Sequence, residues 1–187
     1  MQTNIYLGTA WLIYGTIHSL LATDSIKNTV SSKYYRLIYN TLAFLLILPI
    51  LYLQITLPST NLMQSSFLSK SLSGMMALSG IYLMYVSLKN YDLKEFLGLD
   101  FNQKKQVNEL QIEGVSSIIR HPLYTGMLMF FWGTFGYFGT ESYLISAIVL
   151  TIYIRIGIHF EEQKLVREFG KRYEKYQKEV PMLIPKF

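Results

Sequence analysis

Five long stretches almost free of charge limit what this chain can fold into. They run Ile5–Leu21, Leu37–Leu57, Ser71–Leu88, Leu123–Thr140 and Ser142–Phe160. The first carries His18 as its only basic or acidic group, and the last carries Arg155 and His159. Each approaches the ~20 residues that a helix needs to cross a hydrocarbon core. Apolar residues fall in blocks rather than alternating, and only 16% of the 187 residues are charged, where a soluble domain carries about a quarter. The fold expected is an all-α integral membrane protein, a single domain over residues 1–187 with about five transmembrane helices. No Lys or Arg precedes Ile5, which favours a retained helix over a cleaved signal peptide. The chain has no cysteine, so disulfides, thiolate metal sites and cysteine nucleophiles are excluded. Nothing in the sequence points to a metal.

The formal charge is +5, and in a membrane chain its distribution says more than its sum. Lys27, Lys33 and Arg36 lie in the first connection, and only Lys70 lies in the second. Lys89, Lys94, Lys104, Lys105 and Arg120 lie in the third, and the fourth has none. The tail after Phe160 adds seven more, Lys164 to Lys186. Five spans with the N-terminus outside put fifteen of the seventeen on the cytoplasmic side, as the positive-inside rule requires. That accounts for the basic balance without a nucleic-acid partner. The last two stretches, joined only around Glu141, should form a tight antiparallel hairpin.

On this topology His18, His121 and His159 all approach the cytoplasmic face. Arg155, His159 and Glu162 are spaced i, i+4, i+7, within a narrow sector of one helical face. An Arg inside a span is costly unless it meets protein, water or a partner charge. One reading is a polar pocket lined by this face; the other is a snorkelling Arg155 paired with Glu162. Pro122 suits the first turn of a helix, with His121 at or beside the N-cap and Tyr124 and Thr125 in the first turn. Backbone N–H groups there favour an anionic ligand group. The segment EEQKLVREFGKRYEKYQKEVP spaces Leu165, Phe169, Tyr173 and Tyr176 by 4, 4 and 3 residues. That is an amphipathic helix, broken or bent at Gly170 and stopped by Pro181, and lying on the anionic leaflet and covering a cofactor are compatible readings of it.

Arg120-His-Pro-Leu-Tyr-Thr-Gly126, followed by Glu161-Glu162, Leu165, Phe169-Gly170, Tyr173, Tyr176 and Val180-Pro181, resembles the isoprenylcysteine carboxyl methyltransferase superfamily. This includes related membrane enzymes that methylate phospholipids and small thiols. Tyr14-Gly15, His18-Ser19-Leu20-Leu21-Ala22 and Lys27 resemble the NnrU-like and methanethiol S-methyltransferase branch. The resemblance implies a three-helix part over residues 1–113 and a cofactor-binding part over 114–187. It implies S-adenosylmethionine held by His121, Pro122, Leu123 and Tyr124 and covered by Tyr173 and Tyr176, with Glu161 and Glu162 lining the cofactor and acceptor region and Glu162 also a catalytic candidate. His18 or His159 would deprotonate a thiol acceptor, and Arg155 would position a carboxylate. The partners implied are the bilayer and a lipophilic or small thiol substrate. Membrane sterol reductases, which use NADPH, look similar in their C-terminal segments and are the rival class; a non-catalytic protein of the same fold is the other.

Overall fold

A computed structural model describes residues 2–30, 32–64, 66–89, 94, 97–99 and 110–186. Among them the regular structure is helical, with one isolated antiparallel bridge between Asn61 and Thr140. The helices are α1 (Gln2–Leu21), α2 (Asp24–Val30), α3 (Tyr35–Thr56), α4 (Phe67–Leu88), α5 (Pro122–Phe138), α6 (Glu141–Phe169) and α7 (Lys171–Glu179), with a 3-10 turn at Gly114–Ser117. Three of them, α3, α4 and α6, are long and apolar enough to cross a membrane. Ile5–Leu21 and Asp24–Val30 make a fourth if that pair, bent by 61°, is one span. At 17 residues α5 is a short apolar helix. Large apolar side chains such as Phe44, Ile55, Phe67 and Tyr82 are exposed, as a lipid-facing surface requires and an aqueous one would penalise. This is a helical membrane protein.

The chain forms two compact units. The first comprises Met1–Gln64, Tyr91–Gln106 and Gly139–Val149. Its interior holds a chain of polar groups that satisfy one another. Trp11 Nε1 donates to Ser146 Oγ (2.8 Å), Ser146 donates to Gln54 Oε1 (2.6 Å), and Gln54 Nε2 donates to Ser142 Oγ (3.3 Å). Such bonds tie apolar helices together where hydrophobicity alone does not discriminate between neighbours.

The second unit comprises Ser65–Asn90, Val107–Phe138 and Leu150–Phe187. Its α4 and α5 touch along a seam of small residues. A Cβ on Gly80 would sit 2.5 Å from the Gly126 carbonyl, and one on Gly133 would sit 2.6 Å from the Ala77 nitrogen. The backbones meet because nothing lies between them. Against α6, Tyr124 pairs with Glu161 and Trp132 with Thr151. Partner numbers on α6 fall as those on α5 rise, so the two run antiparallel, as expected from the short link at 139–140.

The boundary that differs most from the sequence expectation is the end of α6. The apolar stretch ends at Phe160, yet α6 runs on to Phe169. Residues 161–168 are mostly good helix formers, and nothing breaks the helix before Gly170. There φ is +54°, a left-handed conformation natural to glycine, and α7 starts at the next residue. The helix α7 buries Tyr173 and Tyr176 against Leu110, Ile112, Leu165, Val166, Phe169 and Val180. It exposes Lys171, Arg172, Lys175 and Lys178.

Candidate active site at the start of α5

His121 immediately precedes α5 and its carbonyl accepts from Thr125 N–H at 3.0 Å, the first bond of the helix. The preceding backbone is bound by the C-terminal tail. Arg120 N–H donates to the Pro181 carbonyl (2.9 Å), His121 N–H to that of Met182 (3.1 Å), and Thr125 Oγ1 to that of Leu183 (3.0 Å). These bonds tie the residues at the helix start to the C-terminal tail.

Glu162 is the hub of the site. Its Oε1 accepts from Arg120 Nε (2.8 Å), lies 2.8 Å from Arg120 Nη2 and 3.0 Å from His121 Nε2, and takes a longer bond from the Tyr173 hydroxyl (3.5 Å). Its Oε2 accepts from Gln177 Nε2 at 3.1 Å. Charge-assisted bonds of this kind are about twice as strong as neutral ones, and the groups are largely buried: Arg120 is 8% exposed, His121 4% and Glu162 12%. The same Arg120 guanidinium donates to the carbonyls of Gln177 (2.9 Å) and Val180. It thus caps the open C-terminal end of α7 while neutralising the carboxylate. Tyr176 completes the tie by donating to the Ser116 carbonyl. Burial, and then the Glu162 charge, hold the Tyr173 phenol well above its ordinary ionisation range.

On the α5 side, Glu161 Oε2 accepts from the Tyr124 hydroxyl at 2.8 Å. Among the described residues no cation pairs with Glu161. The two adjacent carboxylates thus differ: one is balanced, the other carries its charge beside a phenol.

The remaining sequence candidates fall elsewhere. Arg155 donates to the Met182 sulfur, and the Arg155–Glu162 pair considered from the sequence is not formed. Seven residues separate the two by about 10 Å along the axis, and Arg120 approaches Glu162 from across the bundle. His159 is exposed and bonded to Gln163 (3.0 Å). His18 belongs to the first unit, stacked on Tyr14 with the Tyr39 hydroxyl 2.8 Å from Nε2. No group of metal-ligating side chains occurs among the described residues. In the sequence Arg120 and Pro181 figure only as parts of the motifs, with no role at the site, and nothing singles out Gln177, Met182 or Leu183. The available signal was an Arg directly ahead of one helix start, together with a helix end before Pro181 whose last carbonyls need a donor.

Residues 68–172 match the family described as phospholipid methyltransferase. The methanethiol S-methyltransferase of Pseudomonas deceptionensis is 50% identical over 68 residues, which is 36% of this chain and 25% of that protein. That of Crocosphaera subtropica is 48% identical over 67 residues, 36% of this chain and 26% of the relative. The protein-S-isoprenylcysteine O-methyltransferase of Schizosaccharomyces pombe is 38% identical over 77 residues, 41% and 33% of the two chains. The chain therefore matches a quarter to a third of the length of these relatives. No solved structure matches it significantly.

Proposed function

The chain belongs to the phospholipid methyltransferase family, and from that premise we propose that it is an integral membrane methyltransferase. It uses S-adenosylmethionine to methylate a lipophilic or small acceptor, a thiol or a carboxylate. Two relatives are named for methanethiol and one for isoprenylcysteine, which favours a sulfur-containing acceptor. These relatives are methyltransferases rather than reductases, so the NADPH reading has no support from them.

The observation that carries the proposal is the inequality of Glu161 and Glu162. S-adenosylmethionine supplies, when bound, an electrophilic methyl group on a cationic sulfonium. A site for it needs an uncompensated anion and aromatic faces, and Glu161 beside Tyr124 offers both. Glu162, balanced by Arg120 and His121, holds the start of α5 to the tail instead. His121, Pro122, Leu123 and Tyr124 would form the floor of the cofactor site, and Tyr173 and Tyr176 its fixed wall. Alignment of nucleophile, methyl and leaving sulfur accounts for most of the rate in such a transfer. A thiol acceptor must also lose its proton to a base; a carboxylate acceptor needs none, and Arg155 would orient it. The cofactor-binding part is residues 114–187, preceded by a three-helix part in one membrane domain. The topology is five spans with the N-terminus outside and the site cytoplasmic.

The test is transfer of a labelled methyl group by the detergent-purified protein to methanethiol, an isoprenylcysteine analogue and phosphatidylethanolamine in parallel. Labelled product with one of them, lost in Glu161→Gln, is expected. Absence of product from all three, together with acceptor-dependent NADPH oxidation, would sink the proposal in favour of a reductase.

A further inference from the structure

On the flank of α6 away from Tyr124, His159, Glu162, Gln163, Val166, Arg167 and Gln177 line an open groove of about 290 Å³. Its charge is positive. Glu162 is already neutralised by Arg120 and His121, whereas the Arg167 side chain is exposed and no carboxylate pairs with it among the described residues. Gln163 adds an amide beside His159, and Val166 gives the groove an apolar floor.

The same face of the helix continues upward as an apolar stripe. Ile152, Ile156, Phe160, Gln163 and Arg167 follow one another at steps of 4, 4, 3 and 4 residues, so they share one side of α6. Ile152, Ile156 and Phe160 are 56%, 53% and 62% exposed. The side is thus apolar for two turns and then polar for two, with the change at the end of the uncharged stretch. His159 and Arg167 lie about 12 Å apart along the axis, at 1.5 Å per residue. That is too far for one compact ion to touch both, but suits a headgroup lying along the groove.

From this we propose that the face from Ile152 to Arg167 binds an amphiphile with an anionic phosphodiester headgroup. Its acyl chain lies against Ile152, Ile156 and Phe160, its headgroup fills the groove, and its phosphate pairs with Arg167. Guanidinium geometry matches phosphate oxygens in a two-pronged bond, and a cation just beyond the hydrocarbon boundary sits at headgroup depth. The site is separate from the Tyr124–Glu161 side and does not rest on the methyl-transfer reading.

Short-chain phosphatidylglycerol, kept below its micellar concentration, is titrated into the protein in an uncharged detergent while the thermal unfolding midpoint is followed. The native protein should show a saturable rise. Arg167→Gln should weaken the apparent affinity about tenfold, the weight of one charge-assisted contact. Lys171→Gln, an exposed cation outside the groove, should leave it unchanged, and Ile156→Ser should weaken it through the chain-binding half. Inorganic phosphate at the same concentrations should do nothing. No rise, an equal loss in Lys171→Gln, or a rise reproduced by inorganic phosphate would each overturn the proposal, the last by showing a simple anion site.

Discussion

At the residue scale, Arg120 joins the start of α5 both to Glu162 on α6 and to the last carbonyls of α7. Removing one partner of a largely buried pair costs about 3–5 kcal/mol, because the other charge is left in a poor solvent. Arg120→Ala should therefore lower stability by that order in a thermal or denaturant unfolding measurement. Arg120→Lys should recover only part of it, since an ammonium cannot serve Glu162 and two carbonyls at fork geometry. A loss below about 1 kcal/mol would show that the pair is not the clasp described. Tyr173 gives a second test. Its folded ionisation lies above the ordinary value of about 10, so its contribution to stability is intact below that pH and falls as pH rises beyond it. An ultraviolet difference titration should show late-ionising phenol absorbance, reduced by one phenol in Tyr173→Phe. The sequence made His121, Tyr124 and the Glu161-Glu162 pair visible as candidates. It could not divide their labour, because which carboxylate is neutralised depends on Arg120 and Gln177 reaching across from other elements.

At the scale of elements, the seam between α4 and α5 and the open face of α6 predict opposite signs for the same kind of change. Gly133→Ala would drive a methyl into the backbone of α4 and should destabilise by about 1–3 kcal/mol. Gly157→Ala on α6 meets nothing within 4 Å and should stabilise by about 0.5–1 kcal/mol through helix propensity. Unfolding midpoints of the two variants, moving apart from the native value, check both. Hydropathy marked where each long helix lies, because an uncharged run of this length has few alternatives in a bilayer. It missed the extension of α6, because Glu161 to Glu168 read as the start of a separate amphipathic helix when only Gly170 interrupts the backbone. The α4–α5 seam was equally hidden: Gly80, Gly126 and Gly133 have no spacing that distinguishes contact from lipid exposure until the helices are paired.

For the whole molecule, charge asymmetry argues for five spans, and helix length and hydropathy support three, or four with the bent pair. A chain without cysteine is suited to mapping the topology with single introduced thiols. A membrane-impermeant maleimide should label Met63→Cys in intact cells, and Lys27→Cys and Lys178→Cys only after permeabilisation. Labelling of Lys178→Cys in intact cells would break the five-span arrangement. The central claim is that the Tyr124–Glu161 side of the α5 start receives a sulfonium cofactor. Calorimetric titration of S-adenosylmethionine into the detergent-purified protein tests it most directly. The prediction is binding within the range usual for enzyme ligands, about 1 μM to 1 mM, weakened at least tenfold in Glu161→Gln and in His121→Ala. Binding of NADPH with none of S-adenosylmethionine, or S-adenosylmethionine binding indifferent to Glu161, would contradict it.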